Sequence, residues 1–333
     1  MSLVRTWTRR SAVSGPGQPS VAGPALALAR WRRGLQIALG LIWLLDAALQ
    51  YQPYMFTTAF ARDVLTPAGE GSPAVVHDPV SWSASLVAAH PVLWNTLFAT
   101  IQLLLAVGLL WRPTVRAALA ASAAWALGVW WIGEGAGGLL ASGIPSYTDA
   151  PGAALLYVLL AALIWPARQE GRAQVPAPGA SVATTGPLGT VAPRVAWALL
   201  WAGLGYLVLQ PASRAAGSVT AMLTEMKDGE PGWIAAIDSG LARALAGHGA
   251  VVAIALAVLC TAAVLGIAAP PRLARIAVLA AALVSLVIWV LQDFGEIFTG
   301  QGTDPNSGLL LLAIAAAFWP FTIAPGIQPA DSA

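Results

Sequence analysis

The sequence predicts an all-α, polytopic integral membrane protein of eight transmembrane helices, built as two tandem four-helix repeats. Three observations predict it. The 333-residue chain is 58% hydrophobic and 10% charged, with a mean hydropathy of +0.72; an average soluble domain is about 25% charged, so much of this apolar surface needs a bilayer as solvent. The apolar residues fall into eight runs of near-spanning length. The second half of the chain also returns the landmarks of the first.

At an offset of 158 residues Trp43 falls on Trp201, Gln52-Pro53 on Gln210-Pro211, Leu65-Thr66 on Leu223-Thr224, Gly71 and Pro73 on Gly229 and Pro231, His90 on His248, Gly108 on Gly266 and Trp131 on Trp289. A four-residue deletion then changes the offset to 154, where Pro151 meets Pro305 and Trp165-Pro166 meets Trp319-Pro320. So long a period indicates a duplicated domain rather than a solenoid, whose period is roughly 20–50 residues. Paired repeats commonly build membrane proteins.

The eight runs lie near 34–53, 91–111, 114–133, 151–166, 194–211, 249–269, 275–292 and 307–324. They are Leu/Ala-rich without the alternation of barrel strands, so helices are the expected spanning element. The fourth and eighth are short and end in Trp-Pro, with the indole suited to an interface. The organisation follows: a basic cytoplasmic tail over 1–33, a first membrane repeat over 34–166, a flexible Pro/Gly/Ala/Ser/Thr-rich cytoplasmic linker over 167–193, a second repeat over 194–324 and a C-terminal tail over 325–333.

Charge orients the bundle. With both termini in the cytoplasm, 13 of the 17 basic residues fall inside, among them Arg30, Arg32, Arg33, Arg112, Arg116, Arg168, Arg172, Arg194, Arg272 and Arg275. That is a positive-inside pattern for a multi-pass protein of the cell membrane. Outside segments hold 12 of the 15 acidic residues, which makes the outer face attractive to cations. A pI near 9.0 therefore reflects membrane sidedness, not a nucleic-acid surface. One Lys against sixteen Arg, with abundant Ala, suggests GC-rich codon usage and a bacterial gene. The lone Cys260 excludes an intramolecular disulfide and any Cys-based zinc or iron–sulfur motif.

The first outer loop of each half, 54–90 and 212–248, belongs to the repeated unit and is expected to act as a lid. In the second, Ile234, Ile237, Leu241 and Leu245 recur at helical spacing, with Asp238 and Arg243 off that face, which predicts an amphipathic helix.

Asp46 is the sharpest candidate for chemistry. It lies inside the first run, sharing a face with Trp43 and Gln50. The only basic residues in the runs, Arg116, Arg194 and Arg275, sit at their cytoplasmic ends, so none is placed to neutralise it. A carboxylate there costs about 2.5–3.5 kcal/mol at a helix centre, so it marks a function or a paired network by default. Gln102, Asn95 and His90 are its expected partners, or a bound cation. Glu134 ends the third run in Trp-Trp-Ile-Gly-Glu-Gly and is the second catalytic candidate. His90 and His248, equivalent under the repeat, could face each other and hold a haem or, with Asp293, a metal; each also reads as a loop cap or headgroup contact. Gln50 and Gln102 complete the candidate cofactor contacts. Met55, Met222 and Met226 suggest copper handling only weakly.

Arg33-Gly-Leu-Gln-Ile-Ala-Leu-Gly-Leu-Ile-Trp-Leu-Leu-Asp46 and Arg194-Val-Ala-Trp-Ala-Leu-Leu-Trp-Ala-Gly-Leu-Gly-Tyr206 each resemble the opening helix of DoxX-like membrane proteins, small four-helix proteins that include the membrane subunit of thiosulfate:quinone oxidoreductase. This chain holds two units and longer outer loops, and no diagnostic motif carries a functional residue across. The resemblance implies a redox-associated membrane subunit with an outer-face site, in contact with the quinone pool or a membrane redox partner, with quinone, haem or metal as its cofactor. Two other readings stay open: a small-solute or proton-coupled transporter with Asp46 titrating, and a membrane assembly or scaffold protein.

Overall fold

The computed structural model describes residues 22–142, 150–166, 177, 179–227, 229–290 and 294–321. Most of the basic tail, the first part of the linker, Asp293 and the C-terminal tail lie outside the described residues. Within them the chain is helical, with no strand.

The first half comprises α1 (Ala22–Gln50), α2 (Ala74–Ala89), α3 (Pro91–Leu110), α4 (Val115–Ile132) and α5 (Ala153–Leu163). The second comprises α6 (Val191–Val208), α7 (Ser218–Met226), α8 (Gly232–Ala244), α9 (Gly249–Gly266), α10 (Pro271–Ile288) and α11 (Asn306–Ala317). Proline sets several boundaries. Pro91 and Pro271 occupy the first helical position, where the missing N–H is no loss, and Gln52-Pro53 and Gln210-Pro211 follow the ends of α1 and α6.

Helix occupies every predicted run, and five stretches are long and apolar enough to cross a membrane: Pro91–Leu110, Arg112–Ile132, Val191–Val208, Gly249–Gly266 and Pro271–Ile288. Their outward faces carry exposed aliphatic side chains such as Leu104 and Val107 on α3, Leu199 on α6, Val258 and Leu265 on α9, and Ile276 on α10. An apolar exterior over a packed interior is the arrangement a bilayer stabilises.

The two terminal runs differ from expectation. They contain helices of 11 and 12 residues, about 17 and 18 Å long at 1.5 Å per residue, short of a ~30 Å hydrocarbon core. The reason is location. α5 and α11 pack against each other at the centre and are buried on most of their faces, so protein rather than lipid shields their ends.

Within each half the packing follows chain order: α1 on α3, α3 on α4 and α4 on α5, then α6 on α9, α9 on α10 and α10 on α11. Small residues allow close approach, Gly108 meeting Ala118 and Gly266 meeting Ala277, as in many membrane helix pairs. The halves join through α5–α11 and α1–α11. Trp31 donates from Nε1 to the Ala316 carbonyl at 2.8 Å, and one hydrophobic core runs from Leu39 and Trp43 through Leu160 to Trp197, Trp201 and Phe318.

Three local expectations are corrected. The tail gives way to helix at Ala22, because Ala-Leu-Ala-Leu-Ala-Arg continues α1 with strong helix formers. The linker is not free throughout: Ser181, Val182 and Ala183 are buried, and the Ala180 carbonyl accepts from Phe321 N–H at 3.0 Å. On α8 the buried face is Ile234, Asp238 and Ala242, while Ile237 is exposed; the i, i+4, i+8 row packs inward and carries the acid with it.

Candidate functional site

Trp43, Asp46 and Gln50 share the inward stripe of α1, at the end away from its N-terminus. They line a cavity of about 380 Å³ between α1, α3, α4 and α5. From α3 come Trp94, Phe98 and Gln102; from α4, Trp125, Gly128 and Val129; from α5, Ala154 and Tyr157. The 54–90 loop closes it, with Phe60 and Leu65 from the short turns after α1 and Trp82, Ser83 and Val87 from α2. Thr303 and Asp304 reach it from the second half.

The loop is a packed lid. Met55, Phe60, Leu65, Ala84 and Val87 form their own apolar cluster against Trp94 and Phe98. Ser83 Oγ donates to the Ile132 carbonyl at 2.8 Å, which fastens α2 to the end of α4.

Asp46 is 1% exposed. Its partner is not one of those expected from sequence. Tyr157 donates its hydroxyl to Asp46 Oδ2 at 2.5 Å, while Asn95 Nδ2 donates to the Gln50 carbonyl at 2.6 Å. Trp43 stacks on the Tyr157 ring at 4.3 Å between centroids and donates from Nε1 to Ser122 Oγ at 2.8 Å. The carboxylate and phenol are thus fixed by three helices, and Asp46 Oδ1 has no hydrogen-bond partner among the described residues.

Glu134 lies just past α4. Its Oε1 accepts from the Ala154 N–H at 2.9 Å, satisfying one of the orphan donors at the start of α5. Its Oε2 is buried without a partner among the described residues. The glycines around Glu134 make this possible: Gly135, Gly137 and Gly138 all have positive φ, and a Cβ on Gly137 would sit 2.2 Å from the Pro151 carbonyl oxygen. Asp304 accepts from Thr303 Oγ1 at 3.0 Å and from the Asn306 N–H at 2.7 Å, so it caps α11.

Among the described residues no Lys or Arg lines the cavity. Burial, then the nearby Asp304 charge, pushes Glu134 up to about 8, and burial raises Asp304 as well. The folded state therefore keeps the Glu134 proton up to about pH 8, whereas the unfolded chain releases it near the ordinary 4.5. Stability should fall as pH rises across that window and level off above it. Glu134→Gln is expected to flatten this slope, read as the change in thermal unfolding midpoint between about pH 5 and about pH 9 for parent and variant.

The other unpartnered buried atoms lining the cavity are Gln50 Oε1, Gln102 Oε1 and Trp125 Nε1. Buried polar atoms are normally paired, and leaving one unmet costs about 1–3 kcal/mol. Here several acceptors and one donor face a space walled by indole and phenyl rings.

The structure thus brings together Asp46, Gln50, Gln102 and Glu134 of the sequence candidates. It does not bring in the histidines. His90 and His248 are exposed at the starts of α3 and α9 and do not line the cavity; His248 Nδ1 lies 2.8 Å from the Ala246 carbonyl oxygen. Among the described residues no group of three or more His, Cys, Asp or Glu is placed to hold a metal ion. Tyr157 and Trp125 were missed from sequence. The one available signal was Tyr157, the only polar side chain in Ala-Ala-Leu-Leu-Tyr-Val-Leu-Leu-Ala-Ala-Leu.

Comparison with family models, with curated proteins and with solved structures gives no match.

Proposed function

We propose that this chain is a duplicated, eight-helix DoxX-like membrane protein whose first half binds a ring compound of the quinone class, as part of membrane redox chemistry at the outer face. The observation that carries this reading is the Asp46–Tyr157 cavity, an aromatic chamber with several unpartnered polar atoms and, among the described residues, no cation beside its carboxylates. A planar ring bearing two oxygens suits it. In the hydroxyl form the ring donates to Gln50, Gln102 or Asp46; in the carbonyl form it accepts from Trp125 Nε1. Flanking indoles supply stacking faces.

The repeat supports a site in one half only. At offset 158, Asp46, Gln50, Asn95, Gln102 and Ser122 correspond to Leu204, Val208, Ala253, Cys260 and Ala280, and at offset 154 Tyr157 corresponds to Leu311. All six counterparts are buried. The second half has an apolar version of the same interior, which is what a supporting partner needs. Cytoplasmic termini follow from the arginine distribution.

On this reading the ring arrives from the lipid between α3 and α4. Leu97, Ala124 and Gly128 line the cavity and are exposed, and a Cβ on Gly128 would meet no heavy atom within 4 Å. Gly128→Trp is therefore expected to fold and to abolish ring binding. The test is quenching of tryptophan fluorescence by a short-chain quinone in nanodiscs, with co-extracted quinone as a second readout. No saturable quenching by the parent, or equal quenching by Gly128→Trp, would remove the proposal.

One observation favours a second reading, proton-coupled transport: three carboxylates, Asp46 buried and Glu134 and Asp304 half-buried, line one chamber with no cation among its described residues. Solute flux in proteoliposomes that Asp46→Asn abolishes, without quinone binding, would favour it.

A further inference from the structure

At the opposite end of α1 a second cavity, of about 510 Å³, is walled by five arginines: Arg30, Arg32, Arg33, Arg112 and Arg116. They come from the first turns of α1, the turn at 112–114 and the start of α4. Among the described residues no Asp or Glu lines this cavity. Among the described residues no ion pair joins Arg30, Arg33, Arg112 or Arg116 to a carboxylate, and Arg33 and Arg112 stand close enough to repel.

Two of the five are anchored. Arg33 donates to the Leu109 carbonyl at 2.9 Å and the Leu110 carbonyl at 2.6 Å, at the C-terminal end of α3, where a cation also meets the helix dipole. Arg32 is buried and donates from Nη2 to Thr185 Oγ1 at 2.8 Å. Arg30, Arg112 and Arg116 are exposed and make no side-chain hydrogen bond to the protein among the described residues. Membrane sidedness explains why arginines gather at this end. It does not require them to converge on one concavity, two held rigidly and three with free forks.

We infer that this cavity binds a phosphate group. A tetrahedral anion with several acceptor oxygens matches guanidinium forks and relieves the repulsion among them. Leu26, Pro113 and Val115 on its walls suit a phosphate carried by an anionic lipid; free phosphate offers the same chemistry to the arginines. The site is separate from the aromatic cavity and does not depend on what binds there.

The test uses the full-length protein, delipidated in neutral detergent and followed by native mass spectrometry and thermal unfolding. One arm adds phosphatidylglycerol, with phosphatidylcholine for comparison. The other adds inorganic phosphate, with chloride at equal ionic strength for comparison. At least one arm should show preferential binding and a raised unfolding midpoint. Arg30→Gln/Arg112→Gln/Arg116→Gln should weaken it on the order of 10²-fold, at about fivefold for each arginine, and Arg116→Gln alone by about fivefold. A response to the lipid alone assigns a headgroup site; a response to inorganic phosphate assigns a free-anion site. Failure of both anions to outdo their comparisons, or parent-like binding by the triple variant, would overturn the inference.

Discussion

A protein carrying Asp46→Leu together with Tyr157→Phe is expected to unfold at a higher temperature than the parent and to bind no ring ligand. Both effects have one cause. Among the described residues Asp46 Oδ1 is buried with no hydrogen-bond partner, and the side chain that bonds its Oδ2 is a phenol that is itself buried. Replacing both by apolar groups removes two desolvated polar groups at once, which is often neutral or stabilising and is worth about 1 kcal/mol or more. Under the proposed repeat the second half already contains that solution, since Leu204 and Leu311 align with Asp46 and Tyr157 and are buried.

Each single change should do worse than the pair. Asp46→Leu strands the Tyr157 hydroxyl, and Tyr157→Phe strands Asp46 Oδ2, so the two substitutions should be non-additive in a double-mutant cycle. Tyr157→Phe should lower ring affinity about 10–100-fold if the pair contacts the ligand as a charge-assisted hydrogen bond does. Thermal unfolding in nanodiscs and fluorescence quenching measure the two properties on one sample. A double variant that is less stable and still binds the ring would mean that the pair is structural.

The second large effect is expected at Gly135. Its φ is +55°, and a Cβ there would stand 1.8 Å from the Ala68 carbonyl oxygen. Gly135→Ala combines left-handed strain with a backbone collision and should cost about 3 kcal/mol or more. The damage should concentrate on the lid, because Ala68 belongs to the segment that roofs the cavity, and ring binding should weaken with it. Gly128→Ala is the comparison. It sits in α4 with open space around it and should be neutral or stabilising by about 0.5–1 kcal/mol, as Gly-to-Ala changes in helices are. If both variants melt alike, the lid does not rest on this turn.

Much of the site was visible in the sequence. Asp46 stood out because a carboxylate in an apolar run has no cheap explanation, and Gln50 and Gln102 followed from their helical faces. Glu134 was visible as the polar end of a run. The 54–90 loop could be read as a lid because the sequence landmarks it shares with 212–248 align without a gap. The histidines lie outside the cavity at the starts of α3 and α9, in keeping with the loop-cap reading; like-placed residues in two halves need not approach each other. The inward face of α8 was misread, as hydrophobic spacing over four residues fits more than one stripe when the helix is short.

What the sequence determined by itself is the helical membrane character, the boundaries set by proline and the uneven chemistry of the two halves. These follow from composition and local backbone chemistry, which act residue by residue. Only the tertiary structure decided that Tyr157 meets Asp46, that Glu134 caps α5, and that α5 and α11 are short and central. Those depend on contacts between residues as far apart as Asp46 and Tyr157, whose pairing no local pattern encodes, because a cavity exists only once several helix faces have been brought together.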